Sequence, residues 1–163
     1  MKDKILIFTD GAAKGNPGKG GFGVVIAYDG MVMEKGGHKA HTTNNEMELK
    51  AVVEALKATA SKNLSVEIYT DSKYVVEGAK GWVFGWAKNS WKTATKTDVL
   101  NKELLQELLP LHGKVKIVWH KVPGHVGIAG NERADDIAST FASTGKYDLY
   151  TGSQSDYGHD IHD

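Results

Sequence analysis

Residues 4–36 read KILIFTDGAAKGNPGKGGFGVVIAYDGMVMEKG, and their patterning decides the fold. Lys4 to Thr9 is a β-prone apolar run that ends at Asp10, and Gly11 to Gly21 is a glycine-rich stretch around Asn16-Pro17-Gly18, expected as a loop. Phe22 to Tyr28 and Met31 to Gly36 are two further strand-like runs joined at Asp29-Gly30, a pair whose backbone freedom suits a two-residue hairpin turn. The chain therefore opens with three strands in a meander.

Thr43-Asn44-Asn45-Glu46 then has the form of a capping box, and Leu49, Val52, Val53, Leu56 and Ala60 follow at helical spacing. Leu64 to Thr70 is a fourth strand, after which Ser72 can cap a short helix that Gly78 closes. Val99 to Leu109 is a leucine-striped helix expected to stop at Pro110, Lys114 to Val122 a fifth strand, and Asn131 to Ala142 a helix with Ala134, Ile137, Ala138 and Phe141 inward. This order implies an α/β domain with a mixed sheet and helices on both faces. Residues 1–145 form that domain, with a basic region at 80–102. Residues 146–163 are acidic, with few apolar residues and no period, and are expected to be unstructured.

At 163 residues the chain can bury a sizeable single core, roughly 70% of its unfolded surface. The absence of cysteine excludes disulfides, thiolate metal sites and a cysteine nucleophile. The N-terminus runs straight into a strand without a long apolar segment, so the cytoplasm is the expected compartment. Net charge is zero, yet residues 146–163 carry four Asp against one Lys, which leaves the rest of the chain at +3. Lys80 to Lys102 hold five Lys against one Asp, so positive charge is concentrated in one segment.

Four acids carry the functional signal. Asp10 and Asp71 each follow a Thr at the end of an apolar strand, where open α/β sheets build ligand sites. Glu48 lies on the edge of the first helix's apolar stripe, whereas Lys50, Glu54 and Lys57 mark its wet face, and Asp135 lies beside core-facing positions of the last helix. Carboxylates brought together in this way cannot all ionise at neutral pH without a cation, and hard oxygen donors select Mg²⁺ or Mn²⁺. An isolated Asp is ordinarily a solvated or capping residue, as expected for Asp29, Asp98 and Asp136. Gly18-Lys19-Gly20-Gly21-Phe22-Gly23 fits a dinucleotide fingerprint in letters only, because a strand, not a helix, follows it.

The segments Phe8-Thr9-Asp10-Gly11, Gly15-Asn16-Pro17-Gly18, Thr42-Thr43-Asn44-Asn45-Glu46-Met47-Glu48-Leu49, Thr70-Asp71-Ser72, Gly124-His125 and Asn131-Glu132-Arg133-Ala134-Asp135 closely resemble type 1 ribonuclease H, the bacterial ribonuclease HI, in order and spacing over residues 4–143. The resemblance implies a five-stranded sheet with strands 1–3 antiparallel and strands 4–5 parallel. It further implies hydrolysis of the RNA strand of an RNA–DNA hybrid by a monomer, leaving 5′-phosphate and 3′-hydroxyl ends. Asp10, Glu48, Asp71 and Asp135 match the family's metal-binding carboxylates and His125 its loop histidine. Two Mg²⁺ ions, or Mn²⁺, would share the scissile phosphate, one lowering the pKa of the attacking water and the other stabilising the leaving oxygen.

The same resemblance assigns Gly11, Asn16, Asn44 and Asn45 to the groove beside the substrate, where amides read base edges and 2′-hydroxyls. Thr43 and Asn101 match parts of a pocket for a DNA-strand phosphate, with His41 in place of the usual arginine, and Lys73 stands at a groove contact where a glutamine is usual. Trp82, Trp86 and Trp91, interleaved with Lys88, Lys92 and Lys96, match a basic handle that grips the DNA strand, although tryptophans four apart also suit helix packing. Two other readings fit parts of the pattern. Integrase-like polynucleotidyl transferases share such a sheet but rely on three acids, and a noncatalytic hybrid-binding module would not need the intact acid set.

Overall fold

In the computed structural model, residues 4–79, 83–88, 90–92, 101–123, 128–159 and 161 are described. β1 (Lys4–Gly15), β2 (Gly18–Tyr28) and β3 (Met31–Thr42) form the antiparallel meander. The turn between β2 and β3 is the one the dipeptide predicts, with positive φ at Asp29 (49°) and Gly30 (77°). α1 (Asn44–Thr59) leads into β4 (Ser65–Thr70), which pairs parallel with β1, and β5 (Ile117–Lys121) pairs parallel with β4. α2 (Lys73–Glu77), α3 (Val83–Lys88) and α4 (Lys102–Lys114) lie between β4 and β5, α5 (Ala129–Thr144) follows β5, and β6 (Thr151–Ser153) completes the order β5-β4-β1-β2-β3-β6.

Alternation along the strands builds two cores. Ile5, Ile7, Val24, Ile26, Val66 and Ile68 pack with Leu49, Val52, Val53 and Leu56 of α1 and with Leu105 and Leu108 of α4. On the opposite face, Phe8, Val25, Ala27 and Val32 pack with Ala134, Ile137 and Phe141 of α5. The mixed sheet with helices on both faces is thus the one that the patterning implied. No helix among the described residues is long and apolar enough to cross a membrane.

Three expectations are corrected. The glycine-rich stretch 11–21 is not a loop: β1 and β2 continue as the arms of one long hairpin through Ala13↔Gly20 and Lys14↔Lys19 to Gly15↔Gly18. Gly15 uses glycine's freedom at the hairpin tip (φ 105°), whereas Gly21 and, just beyond the stretch, Gly23 mark close backbone approach. A Cβ on Gly21 would meet the Ala138 carbonyl oxygen at 2.5 Å, and one on Gly23 the Ala134 carbonyl oxygen at 2.3 Å, so α5 lies directly on the strand.

Pro110 does not stop α4, which runs on to Lys114. Leu109 and Leu111, flanking the proline, both pack against the α1-side core, and that packing holds the last turn despite the lost backbone donor.

The segment after Gly145 is not unstructured. β6 pairs antiparallel with β3 at Met31↔Ser153, Val32↔Gly152 and Met33↔Thr151, which adds a sixth strand to the expected five, and Tyr157 and Ile161 are buried. Its anchors are irregularly spaced residues that each contact a different element, together with backbone pairing at a sheet edge. Neither produces a hydrophobic period.

The helix contact at β2 is testable. Gly23→Ala drives a methyl into the backbone of α5 and should destabilise the protein by about 1–3 kcal/mol in denaturant melts. A change smaller than about 0.5 kcal/mol would show that α5 is free to shift away.

Candidate active site

The pairing of β1 with β4 ends at Phe8↔Tyr69, whereas β1 runs on beside β2. Where the two parallel strands part, side chains from both faces of the sheet can meet. Asp10 stands at this fork on β1, and Asp71 directly follows β4. α1 reaches the fork because Gly11 has no side chain: a Cβ there would lie 2.4 Å from the Glu48 backbone nitrogen and 2.6 Å from the Met47 carbonyl carbon. The helix is started by Thr43, whose Oγ1 accepts from the Glu46 N–H at 3.1 Å, and this start places Glu48 on the inward face, only 7% exposed. From the opposite face α5 supplies Asp135.

Asp10, Glu48 and Asp71 each offer a carboxylate oxygen within 4.8 Å of the others. Asp135 is outside that trio but faces the same space. A cavity of about 330 Å³ is lined by Thr9, Asp10, Asp71, Asn131 and Asp135, and a larger groove of about 600 Å³ by Asp10, Gly11, Asn44, Glu48, Asp71 and Asp135.

Burial raises the Asp10 pKa to about 7; a hydrogen bond with Glu48 opposes that rise, while Asp135 and Asp71 add to it. Glu48 is pushed well above the usual carboxylate range, first by burial and then by the charge of Asp10. Its Oε2 is buried with no hydrogen-bond partner. A buried carboxylate oxygen left unpaired among other carboxylates is satisfied by a proton or by a cation, and this all-oxygen donor set fits a divalent one.

Of the other residues the sequence pointed to, Gly11, Asn44, Asn45 and Lys73 line the larger groove. Asn16 lies at the hairpin tip, where its Oδ1 accepts from the Asn44 N–H at 3.3 Å and ties the tip to the start of α1. Asn101 donates through Nδ2 to the Tyr74 hydroxyl at 3.0 Å, and Tyr74 also borders the groove. His41 is exposed at the end of β3. Trp86 and Trp91 pack against the α1-side core, with the Trp91 N–H donating to the Trp86 carbonyl at 2.8 Å, while Lys88 and Lys92 are exposed. His125, Trp82 and Lys96 lie outside the described residues.

Two polar residues of the site were not singled out in the sequence. Asn131 donates through Nδ2 to the Tyr69 carbonyl at 2.8 Å, and its buried Oδ1, like Thr9 Oγ1, has no partner. Asn131 figures in the sequence reading as a helix start and a motif member, and Thr9 as a strand end and a motif member, neither as a residue of the site.

The family model for RNase H matches residues 2–143. The chain belongs to the ribonuclease H family. A ribonuclease H of Mesorhizobium japonicum is 48% identical over 138 residues, spanning 85% of this chain and 77% of the relative. A crystal structure of a type 1 ribonuclease H with the type 2 active-site motif matches with a TM-score of 0.80 at 30% identity, covering 93% of this chain and 79% of that one. A family member solved in complex with an RNA/DNA hybrid matches with a TM-score of 0.61 at 26% identity, covering 83% and 94%. The ribonuclease H assignment takes the place of the integrase-like and noncatalytic alternatives.

The raised Asp10 pKa fixes the sign of a pH effect. Asp10 moves from 3.8 to about 7, so the stability gained by burying its neutral form is complete below its unfolded pKa and is lost as pH rises through the folded one. An amide does not ionise. In metal-free protein, the melting temperature of Asp10→Asn should therefore pull ahead of wild type between about pH 4 and pH 7 and hold that lead at about pH 8. An offset independent of pH would contradict the shift.

Proposed function

We propose that this chain hydrolyses the RNA strand of RNA–DNA hybrids at the Asp10, Glu48, Asp71 and Asp135 cluster, leaving 5′-phosphate and 3′-hydroxyl ends. The observation that carries the reading is the carboxylate trio Asp10, Glu48 and Asp71 around the buried, unpaired Glu48 Oε2, in a chain of this family. Asp10, Asp71 and Asp135 border both cavities and Glu48 the larger one alone, an arrangement suited to holding two Mg²⁺ ions, or Mn²⁺, when substrate is bound. Magnesium, when bound, supplies positive charge that lowers the pKa of an attacking water and stabilises the leaving 3′ oxygen.

The protein's own part is to hold and orient. Glu48 and Asp10 would hold the cation and release their shared proton to solvent as its charge replaces it, and the closely packed α1 and β1 backbones keep their oxygens from moving apart. Asn44 and Asn45, in the groove wall beside Glu48, are placed to donate to base edges and 2′-hydroxyls, which is how the RNA strand is told from DNA. Thr43 and Asn101, with His41, serve a DNA-strand phosphate. His125 relays protons or assists product departure. Lys88, Lys92 and Lys96, with Trp82, Trp86 and Trp91, grip the DNA strand, and the enzyme acts as a cytoplasmic monomer.

The test is a labelled hybrid incubated with and without Mg²⁺ beside single-stranded and duplex RNA. The RNA strand should be cut only in the hybrid and only with metal, and Asp10→Asn should lower turnover by at least about 10²-fold. Cleavage without metal, or near-normal turnover by that variant, would contradict the assignment. For the handle, replacing Lys88, Lys92 and Lys96 by Ala should raise KM, spare kcat and flatten the salt dependence of hybrid affinity by up to about 0.9 logarithmic units per lost contact. Wild-type affinity and salt slope would mean that these lysines only solvate the surface.

A further inference from the structure

The segment after α5 turns back at Gly145, where φ is 76°, and returns along the helix to its start. Tyr147 lies 6.3 Å from the Phe141 ring between centroids, and its hydroxyl donates to Asp136 Oδ2 at 2.8 Å. β6 then pairs with β3, Tyr157 is buried, and the Ile161 carbonyl accepts from the Gly130 N–H at 2.9 Å. The segment therefore touches α5 at successively earlier positions and joins it to the edge of the sheet.

Its central contact is Glu34 on β3, whose side chain has no solvent exposure. Arg133 donates to it through Nε at 2.7 Å and Nη2 at 3.2 Å, the Tyr150 N–H at 3.0 Å and the Tyr157 hydroxyl at 2.5 Å. Burial alone would raise the Glu34 pKa, but these donors hold it below the usual carboxylate range. One carboxylate thus ties together β3, α5 and the C-terminal segment, with four donors filling its lone pairs.

Helix geometry links this knot to the active site. Arg133 precedes Asp135 by two residues, about 200° around the helix, so the two side chains leave α5 on nearly opposite sides. One faces the knot and the other the cavity. One turn earlier, Gly130 sits flat on the Phe8 ring, where a Cβ would be 2.6 Å from ring carbons, and Phe8 precedes Asp10 by two residues on β1. Rotation or sliding of α5 would move Asp135 relative to Asp10; Arg133 and Gly130 oppose both motions, in addition to the close approach of β2 at Gly21 and Gly23 and the Asn131 bond to Tyr69.

We infer that residues 146–159, with Ile161, are a positioning strap: through Tyr157, Glu34 and Arg133 they set the rotation and axial position of α5, and so the place at which Asp135 faces Asp10. Tyr157 and Glu34 are positioning residues that act through Asp135. The activity part of the inference rests on the proposed hydrolysis, whereas the cation-binding part does not.

Tyr157→Phe in the full-length chain tests the strap, because the ring keeps its packing on Tyr150, 5.0 Å away, and only the hydroxyl's interactions with Glu34 and Arg133 are lost. With a labelled hybrid, kcat should fall about tenfold while KM stays within about twofold, the pattern of a misplaced group rather than lost binding. Calorimetric titration with Mg²⁺ should show affinity weakened about threefold or more in an otherwise wild-type chain and unchanged in an Asp135→Asn background, while melting temperature drops equally in both.

A lowered melting temperature with wild-type kcat and wild-type Mg²⁺ affinity for Tyr157→Phe would reduce the strap to a stabilising element and overturn the inference. So would an equal loss of affinity in the Asp135→Asn background. If the unmodified chain left the hybrid uncut, the proposed function would fall, and the Mg²⁺ affinities alone would decide the strap.

Discussion

Glu48 and Asp10 are two carboxyl groups pressed together where β1 and β4 part, and the architecture of the site answers to the repulsion that would follow if both ionised. Two ionised carboxylates so placed are stable only when a proton or a cation lies between them. The fold holds them there by removing side chains wherever backbones must meet: Gly11 lets α1 lie on β1, and Gly21 and Gly23 let α5 lie on β2. Packing of two apolar cores on either side of the sheet supplies the stabilisation that offsets this electrostatic cost.

The same sheet contains a second buried acid whose treatment is the reverse. Glu34 receives four donors, two of them from a guanidinium, and stays ionised, while Glu48 keeps one oxygen without any donor and is driven toward protonation. The first is a satisfied joint. The second is a site waiting for positive charge. This difference in hydrogen-bond satisfaction, rather than burial itself, separates the structural carboxylate from the functional one.

Much of this was legible in the sequence, for reasons that can be named. Asp10 and Asp71 close apolar strands, and Glu48 borders a helical stripe, so strand ends and helix periodicity located the carboxylates before any coordinates. The Asp29-Gly30 turn and the Thr43 cap are local chemistry, and local chemistry survives in the fold. The glycines of 11–21 misled because freedom and close approach leave the same mark in a sequence; only the positions of α1 against Gly11 and α5 against Gly21 tell them apart. Pro110 and residues 146–159, with Ile161, misled because tertiary contacts overrode what local pattern implied. For the C-terminal segment those contacts are with Glu34, more than a hundred residues away in the chain, and no periodicity encodes them. Asn131 was hidden for a similar reason, since its partner is a backbone carbonyl on β4.

Replacement of a proton by cation charge within the carboxylate cluster is the event on which the site's chemistry depends. The most direct measurement is calorimetric titration of the full-length, metal-free chain with Mg²⁺ near neutral pH, repeated in buffers of different ionisation enthalpy so that proton transfer is counted. The account predicts binding accompanied by net proton release, with the release diminished in Asp10→Asn. Binding without proton exchange, or no binding at all, would contradict it.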